Sequence, residues 1–426
     1  MEIIDKKQSN ILNNLEGNPL FQLSLGAKEL FHSNFMGWVL SLDEQFTEAF
    51  LKQTGLLHEE ANVKKCQVER EYLNFDIFIH LVLQDGKKMA FIIENKVKSI
   101  PDEDQLKRYF LKYHERSRTK AFKEKFGIQP NESVEAHFLV LWFNHQNSQF
   151  PNPWKPLRYT QVVEALVSSH YNHPLPSAGI SFENLLQSYQ QFIIELNALF
   201  EYLNDHRLYD YYTSKFFKEL NNIRLQDLAI KYTHSLMVAS IKKQVKPATW
   251  KKENELNNIG DCSMHQDYNR KQGCIDFKCV VALSPSDRSP LIIGVQLQGT
   301  QLRYVIKNMS QQQASQHYDL AIELLEKGLW LCHQEEVLSG MIEIPEANRT
   351  KGSGTKHSPA RVRGKFNTYY KGKFLYKFDK IPATASRKEV EAAFTALANH
   401  VISNQNTFTD KAERYGFFNK VNREVA

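Results

Sequence analysis

Apolar residues between Glu29 and Leu42 recur at helical spacing: Leu30, Phe31, Phe35, Trp38, Val39 and Leu42 share one side of a predicted amphipathic helix. A second, shorter helix is predicted over Glu44–Gln53. The period then shortens to that of strands, with runs at Lys65–Glu71, Phe75–Leu83 and Met89–Val97. Gln84-Asp85-Gly86-Lys87 joins the last two as a hairpin, because Asp-Gly supplies the positive φ of a tight turn. Ser99 and Pro101 open a helix that reaches about Arg118, and its first turn carries Asp102, Glu103 and Asp104, acids favoured at the positive end of a helix. Ala136–Phe143 is wholly apolar and suits a strand inside a sheet. Asn144–Pro156, with three prolines, reads as a loop, and Thr160–Ser168 as a helix. The resulting order is helix, three strands, helix, strand, helix.

Beyond that point, Phe182 to about Lys243 reads as helical throughout, with Leu185, Leu186, Phe192, Ile193 and Leu196 suggesting an antiparallel helical segment. Pro247 begins a change of character. Strands are expected at Cys274–Leu283, Leu291–Leu297 and Arg303–Asn308, a helix over Gln311–Trp330, and a weak strand at Ile342–Ile344. Lys365–Phe378 alternates aromatics with lysine as a half-buried hairpin would, and Arg387–Asn404 is a helix. The expected organisation is an α/β core in residues 1–170, a helical segment in 171–245, and an α+β domain in 246–426 assigned to substrate or partner binding.

A chain of 426 residues is long enough for two or three domains. Its 42% hydrophobic and 24% charged residues argue against disorder. Five cysteines without regular spacing are read as reduced thiols of a cytoplasmic protein. Met1–Lys7 lacks a signal-peptide pattern, and no apolar run approaches the roughly 20 residues that span a membrane. Charge is informative once located. Between Glu346 and Lys380 stand ten Lys and Arg against two acids, so the net charge of +6 is concentrated in one window. Lys356, Arg361, Arg363 and Lys365 are its candidate contacts to a polyanion, with Phe366, Tyr369, Tyr370, Phe374 and Tyr376 available for stacking on bases.

The chemistry is concentrated in Asn74-Phe75-Asp76, Ala90-Phe91-Ile92-Ile93-Glu94-Asn95-Lys96, Gln105 and Tyr109. Strand side chains alternate, so Glu94 and Lys96 share a face while Ile93 and Asn95 share the other. Carboxylates and amines are almost never buried unless paired, yet these two follow an apolar run. Two carboxylates and an amine suit hydrolysis of a phosphodiester with Mg²⁺, which prefers hard oxygen ligands and needs only one or two carboxylates beside its waters. Asp76 and Glu94 are the candidate ligands, and Lys96 would orient water and stabilise negative charge. Gln105 and Tyr109, four apart, share a helix face.

Asp76, an 18-residue step to Glu94, and Lys96 resemble the D…(D/E)-x-K core of the PD-(D/E)xK nuclease superfamily, with Phe75 where the superfamily's name carries proline. A lone E-x-K is weak; Asp76, the apolar flanks and the element order give it weight. Glu94-Asn95-Lys96 followed by Gln105-x-x-x-Tyr109 is similar to branches with a Q-x-x-x-Y element, whose residues position substrate and the catalytic lysine. Glu29 matches a carboxylate that these nucleases often place near the metal. The resemblance covers about Lys28–Ser168. It implies a restriction-endonuclease-like α-β-β-β-α-β core and an Mg²⁺ cofactor that Mn²⁺ can replace. It further implies a nucleic-acid substrate, DNA rather than RNA, a role in prokaryotic restriction or anti-phage defence, and homodimers that cut both strands. The alternative is an inactive nuclease-fold module that binds nucleic acid or protein.

Weaker signals are read as structural. Glu69 and Glu71 are more ordinary as solvated strand-edge acids, and Lys98, Lys107, Arg108 and Lys112 as surface charges. Cys262, His265, Cys274 and Cys279 match no common zinc spacing, and Gly352–Lys356 lacks phosphate-loop spacing. Ile275-Asp276 followed by Ile292–Gln298 repeats the outline of Asp76 to Lys96, which two strands and a turn explain without shared history.

Overall fold

The computed structural model describes residues 6–25, 28–96, 103–143, 150–169, 181–205, 209, 214–269, 272–284, 287–308, 316–327, 342–343, 367–369, 374–382 and 384–417. The chain divides into two units, residues 3–205 with 222–224, and residues 206–221 with 225–426.

The first unit opens with helices α1 (Lys6–Gly17) and α2 (Pro19–Ser24), separated by Asn18, whose side chain accepts the N–H groups of Leu20 and Phe21. Neither helix was expected. Apolar positions in α1 are sparse, and only Ile11, Leu12 and Leu15 among them are buried. Helices α3 (Lys28–Ser41) and α4 (Glu44–Gln53) fall where the periodicity puts them, and Asp43 caps α4. Strands β1 (Val63–Arg70), β2 (Ile77–Leu83) and β3 (Lys88–Lys96) form an antiparallel meander, with Ile77 opposite Ile93 and Gly86 at φ 87° in the turn. Helices α5 (Glu103–Ser117) and α6 (Lys120–Lys125) lead to β4 (Glu135–Trp142), which pairs parallel to β3. β5 (Lys155–Arg158) then adds parallel to β4, and α7 (Tyr159–Ser168) and α8 (Phe182–Asp205) follow.

The sheet order is β1-β2-β3-β4-β5, so β3 is central, and eight of its nine residues are buried. This is the mixed α/β architecture that the resemblance implies, with one strand more. The end of the expected loop Asn144–Pro156 is strand from Lys155, because pairing with Leu139–Trp142 outweighs Pro156 at a sheet edge. On one sheet face Phe75, Phe78, Ala90, Ile92, Phe138 and Val140 pack with Leu106 and Tyr113 of α5 and Phe122 of α6. Burying such side chains contributes about 1.5–3 kcal/mol each.

The second unit carries α9 (Lys215–Asn222) and α10 (Gln226–Gln244). In the helical segment expected from Phe182 to about Lys243, the described helices are α8, α9 and α10, and α10 starts after a turn in which Arg224 is left-handed at φ 57°. β6 (Thr249–Trp250), a short 3₁₀ turn at Glu253–Glu255, β7 (Asp261–Asn269), β8 (Gln272–Leu283), β9 (Pro290–Gln298), β10 (Gln301–Asn308) and α11 (Gln316–Glu326) follow. β11 (Ile342–Glu343), β12 (Asn367–Tyr369), β13 (Phe374–Lys380), α12 (Arg387–Ser403) and α13 (Gln405–Arg414) complete it.

The second sheet runs β11-β13-β10-β9-β8-β7-β6, with β12 also on β13. Its inner pairs are antiparallel, whereas β3 has a parallel neighbour, so it does not repeat the first sheet. Strand β7 was not foreseen: in Asp-Cys-Ser-Met-His-Gln-Asp-Tyr-Asn the alternation of Cys262, Met264 and Tyr268 is interrupted at Gln266, and the ladder with β8 holds the segment extended. Phe374 and Tyr376 are buried with Val305, which corrects their reading as free stacking surfaces. Phe366, Tyr370 and the basic residues Lys356, Arg361, Arg363 and Lys365 lie outside the described residues, as does the side chain of Tyr369.

Candidate active site

Asp76 is delivered by an unusual turn. Glu71, Leu73 and Asn74 are all left-handed, at φ 52°, 56° and 64°. For residues other than glycine that conformation costs roughly 1–2 kcal/mol each. The turn ends with Phe75 wholly buried against the Tyr109 ring, centroids 5.6 Å apart, and leaves Asp76 half-buried at the start of β2. From there Asp76 Oδ2 accepts the backbone N–H of Asn95 at 2.6 Å, which pins it to the end of β3.

Glu94 and Lys96 project from β3 on the face that carries α5. Both are buried, 3% and 6% exposed. Glu94 Oε1 takes two donors, Lys96 Nζ at 2.8 Å and Gln105 Nε2 at 3.0 Å. The same Gln105 amide donates to Tyr109 Oη at 2.9 Å. Glu94 Oε2 is buried and accepts no hydrogen bond. The indole of Trp154 donates to the carbonyl of Leu106 at 2.9 Å, fixing the turn of α5 that carries Gln105. Burial and the neighbouring Asp76 carboxylate push the Glu94 carboxyl up to about 8, and the Lys96 charge only partly offsets them. Burial likewise raises the Tyr109 phenol.

Glu94, Lys96, Gln105 and Tyr109, from β3 and α5, are thus joined by hydrogen bonds and an ion pair, and Asp76, 18 residues before Glu94, stands beside them. Of Glu29, α3 contains the backbone, while its side chain lies outside the described residues. Glu69 faces elsewhere, bridged to Lys125 at 3.0 Å, and Glu71 is exposed in the turn. Lys107 is an exposed partner of Glu103, and Lys98 lies outside the described residues. Cys262 and Cys279 lie opposite each other on β7 and β8, while His265 pairs with Asp276. No group of three or more His, Cys, Asp or Glu able to hold a metal occurs among the described residues.

An orphaned buried carboxylate oxygen next to a second carboxylate fits a hard divalent cation, which would remove their repulsion and needs no third protein ligand. Residues 18–129 match the family model of the PD-(D/E)XK nuclease superfamily. The matched stretch runs from α2 through α6 and contains Asp76, Glu94, Lys96, Gln105 and Tyr109. It includes the three antiparallel strands β1, β2 and β3, and β4 follows it. No curated protein and no solved structure matches the chain. Among the described residues no helix is long and apolar enough to cross a membrane.

One supporting residue carried no signal in the sequence. On the far face of β3 the Asn95 amide donates to Ser33 Oγ of α3 at 2.9 Å, in a buried contact. It ties the helix that carries Glu29 to the strand that carries Glu94. Replacing Ser33 by alanine is expected to destabilise the first unit by about 1–2 kcal/mol, read as a lower midpoint in urea unfolding. An unchanged midpoint would mean that the contact is not coupled to the fold.

Proposed function

We propose that this protein is a divalent-metal-dependent nuclease that hydrolyses phosphodiester bonds in DNA. The observation that carries the reading is the Asp76–Glu94–Lys96 constellation, in which Glu94 Oε1 is saturated and Oε2 is left open near the C-terminal end of the central strand β3. Asp76 and Glu94 would hold Mg²⁺, or Mn²⁺ in its place. When bound, the cation supplies neutralisation of phosphate charge and activation of water. Lys96, 2.8 Å from Glu94, would orient water and stabilise negative charge that builds on the phosphate. Gln105 orients Glu94 and Tyr109 together, and in the Q-x-x-x-Y branch this pair positions the substrate backbone and the catalytic lysine. Glu29 is an outer carboxylate in this reading, and Lys356, Arg361, Arg363 and Lys365 contact the substrate backbone. The resemblance further supports a role in restriction or anti-phage defence, with a homodimer cutting both strands, and the five irregularly spaced cysteines support a cytoplasmic protein.

Incubation with supercoiled plasmid, linear duplex, single-stranded DNA and RNA tests this directly. Cleavage is expected with Mg²⁺ or Mn²⁺, none in EDTA, and DNA is expected to be cut faster than RNA. Tight binding without cleavage of any substrate would instead make the chain a non-catalytic module. Preferential cleavage of RNA would overturn the substrate assignment alone.

A further inference from the structure

The second unit contains a charged cluster with no part in the proposed hydrolysis. A Cβ on Gly273 would stand 2.4 Å from His234 of α10, so the odd-numbered residues of this part of β8 face that helix. Asp276 and Lys278 therefore face away from it. On their side of the sheet His265, Asp276, Gln296 and Arg303 lie directly opposite one another across four strands, and Lys307 stands further along β10.

Into this group reaches one carboxylate from outside the strands, that of Glu253 in the 3₁₀ turn. Its Oε1 accepts Lys278 Nζ and lies 3.6 Å from Lys307 Nζ, and its Oε2 lies 3.1 Å from His265 Nε2. Behind them Asp276 lies 3.5 Å from His265 and 3.6 Å from Lys278, and accepts Gln296 Nε2 at 2.7 Å. The Glu253 side chain is 43% exposed, against 9% for Lys278 and 22% for Lys307. Two ammonium groups and an imidazole thus converge on one anion-sized place, and the anion in it is the outermost member of the group. Keeping the two lysines together is unfavourable in itself. Burial and the Lys278 charge lower the Lys307 ammonium below its ordinary value. Burial would raise the Glu253 carboxyl, but Lys278, His265 and Lys307 together pull it down. When Glu253 swings out, Lys278, Lys307 and the nearby Arg303 are left with Asp276, and with Asp267 beside His265, so three cations face two acids and the seat is positive.

We propose that this seat binds a phosphate group of the polynucleotide substrate, and that Glu253 is an internal occupant which the phosphate displaces. The inference rests on the reading of the chain as a nucleic-acid enzyme and adds to it a second, non-catalytic contact. A phosphate oxyanion needs the same donors as a carboxylate, offers more oxygens to share among them, and binds best where cations are already gathered.

The test is fluorescence anisotropy with a labelled 20-nucleotide single strand in EDTA, so that binding is measured without hydrolysis. Glu253→Gln keeps the side chain's size and removes the competing charge, and it should tighten binding about 3- to 10-fold. Lys307→Gln should weaken it by a similar factor. It should also make the dependence of log K on log salt shallower by about 0.7, the loss of one phosphate contact on a single strand. Inorganic phosphate and a nucleoside monophosphate serve as competitors. Displacement of the strand at millimolar levels assigns the seat to a free phosphate or terminal monoester, and strand binding that resists them assigns it to the backbone. Unchanged or weaker binding by Glu253→Gln, with Lys307→Gln equal to the native protein, overturns the proposal and leaves Glu253 as a structural ion pair. Because no step involves cleavage, a protein that passes here but never cuts DNA sinks only the catalytic reading.

Discussion

Lys96→Met is expected to reduce DNA cleavage by about 10³-fold or more while the protein stays folded near pH 6.5. The Lys96 ammonium lies 2.8 Å from Glu94 in a buried site and is the cation at hand for charge developing on a phosphate. Removing one partner of a buried pair usually destabilises by about 3–5 kcal/mol, because the other charge is stranded. Here that penalty is small at pH 6.5, since Glu94, pushed up to about 8, holds its proton there when no cation is present. The variant therefore separates chemistry from folding. Asp76→Asn and Glu94→Gln should lose cleavage to a similar extent and also lose Mn²⁺ binding, which isothermal titration reads independently of turnover. Cleavage that persists at the native rate in Lys96→Met would place the chemistry at another site.

Without a divalent cation, the protein should lose about 2 kcal/mol of stability between pH 6.5 and 8.5. In the unfolded chain Glu94 titrates near its ordinary value of 4.5 and is ionised throughout this window, whereas the folded carboxyl keeps its proton until about pH 8. The unfolded state thus binds fewer protons, so stability falls as pH rises and levels off above the folded value. Burial lowers His80 and His234 to about 4, so both affect the balance only below pH 6.5. Saturating Mg²⁺ or Mn²⁺ should flatten the profile by replacing the proton, and Glu94→Gln should abolish the slope. Urea unfolding at three pH values, with EDTA and with metal, checks this. A slope of equal size in Glu94→Gln would assign it to other groups.

Much of the first unit was legible because its signals are local. The helical spacing of Leu30 to Leu42, the Asp-Gly turn between β2 and β3, and the acids opening α5 each act within a few residues. The second unit was less legible because its strand β7, second from one edge of the sheet, is held extended by pairing with β8 more than by its own composition. The same contrast separates Glu94 and Lys96, adjacent on one strand face by alternation alone, from Ser33, whose contact with Asn95 spans 62 positions.

Residue order by itself determined that Glu94 and Lys96 share one strand face and that Gln105 and Tyr109 share one helix face, since each follows from a two- or four-residue period. Only the tertiary structure decided which Glu94 oxygen is saturated and which is open. It also decided that a turn of left-handed residues brings Asp76 onto the Asn95 amide, and that Glu253 sits among two lysines and a histidine. Those outcomes depend on desolvation and on contacts between distant segments, and no local pattern in the chain encodes how deeply a carboxylate will be buried or which charge will stand beside it.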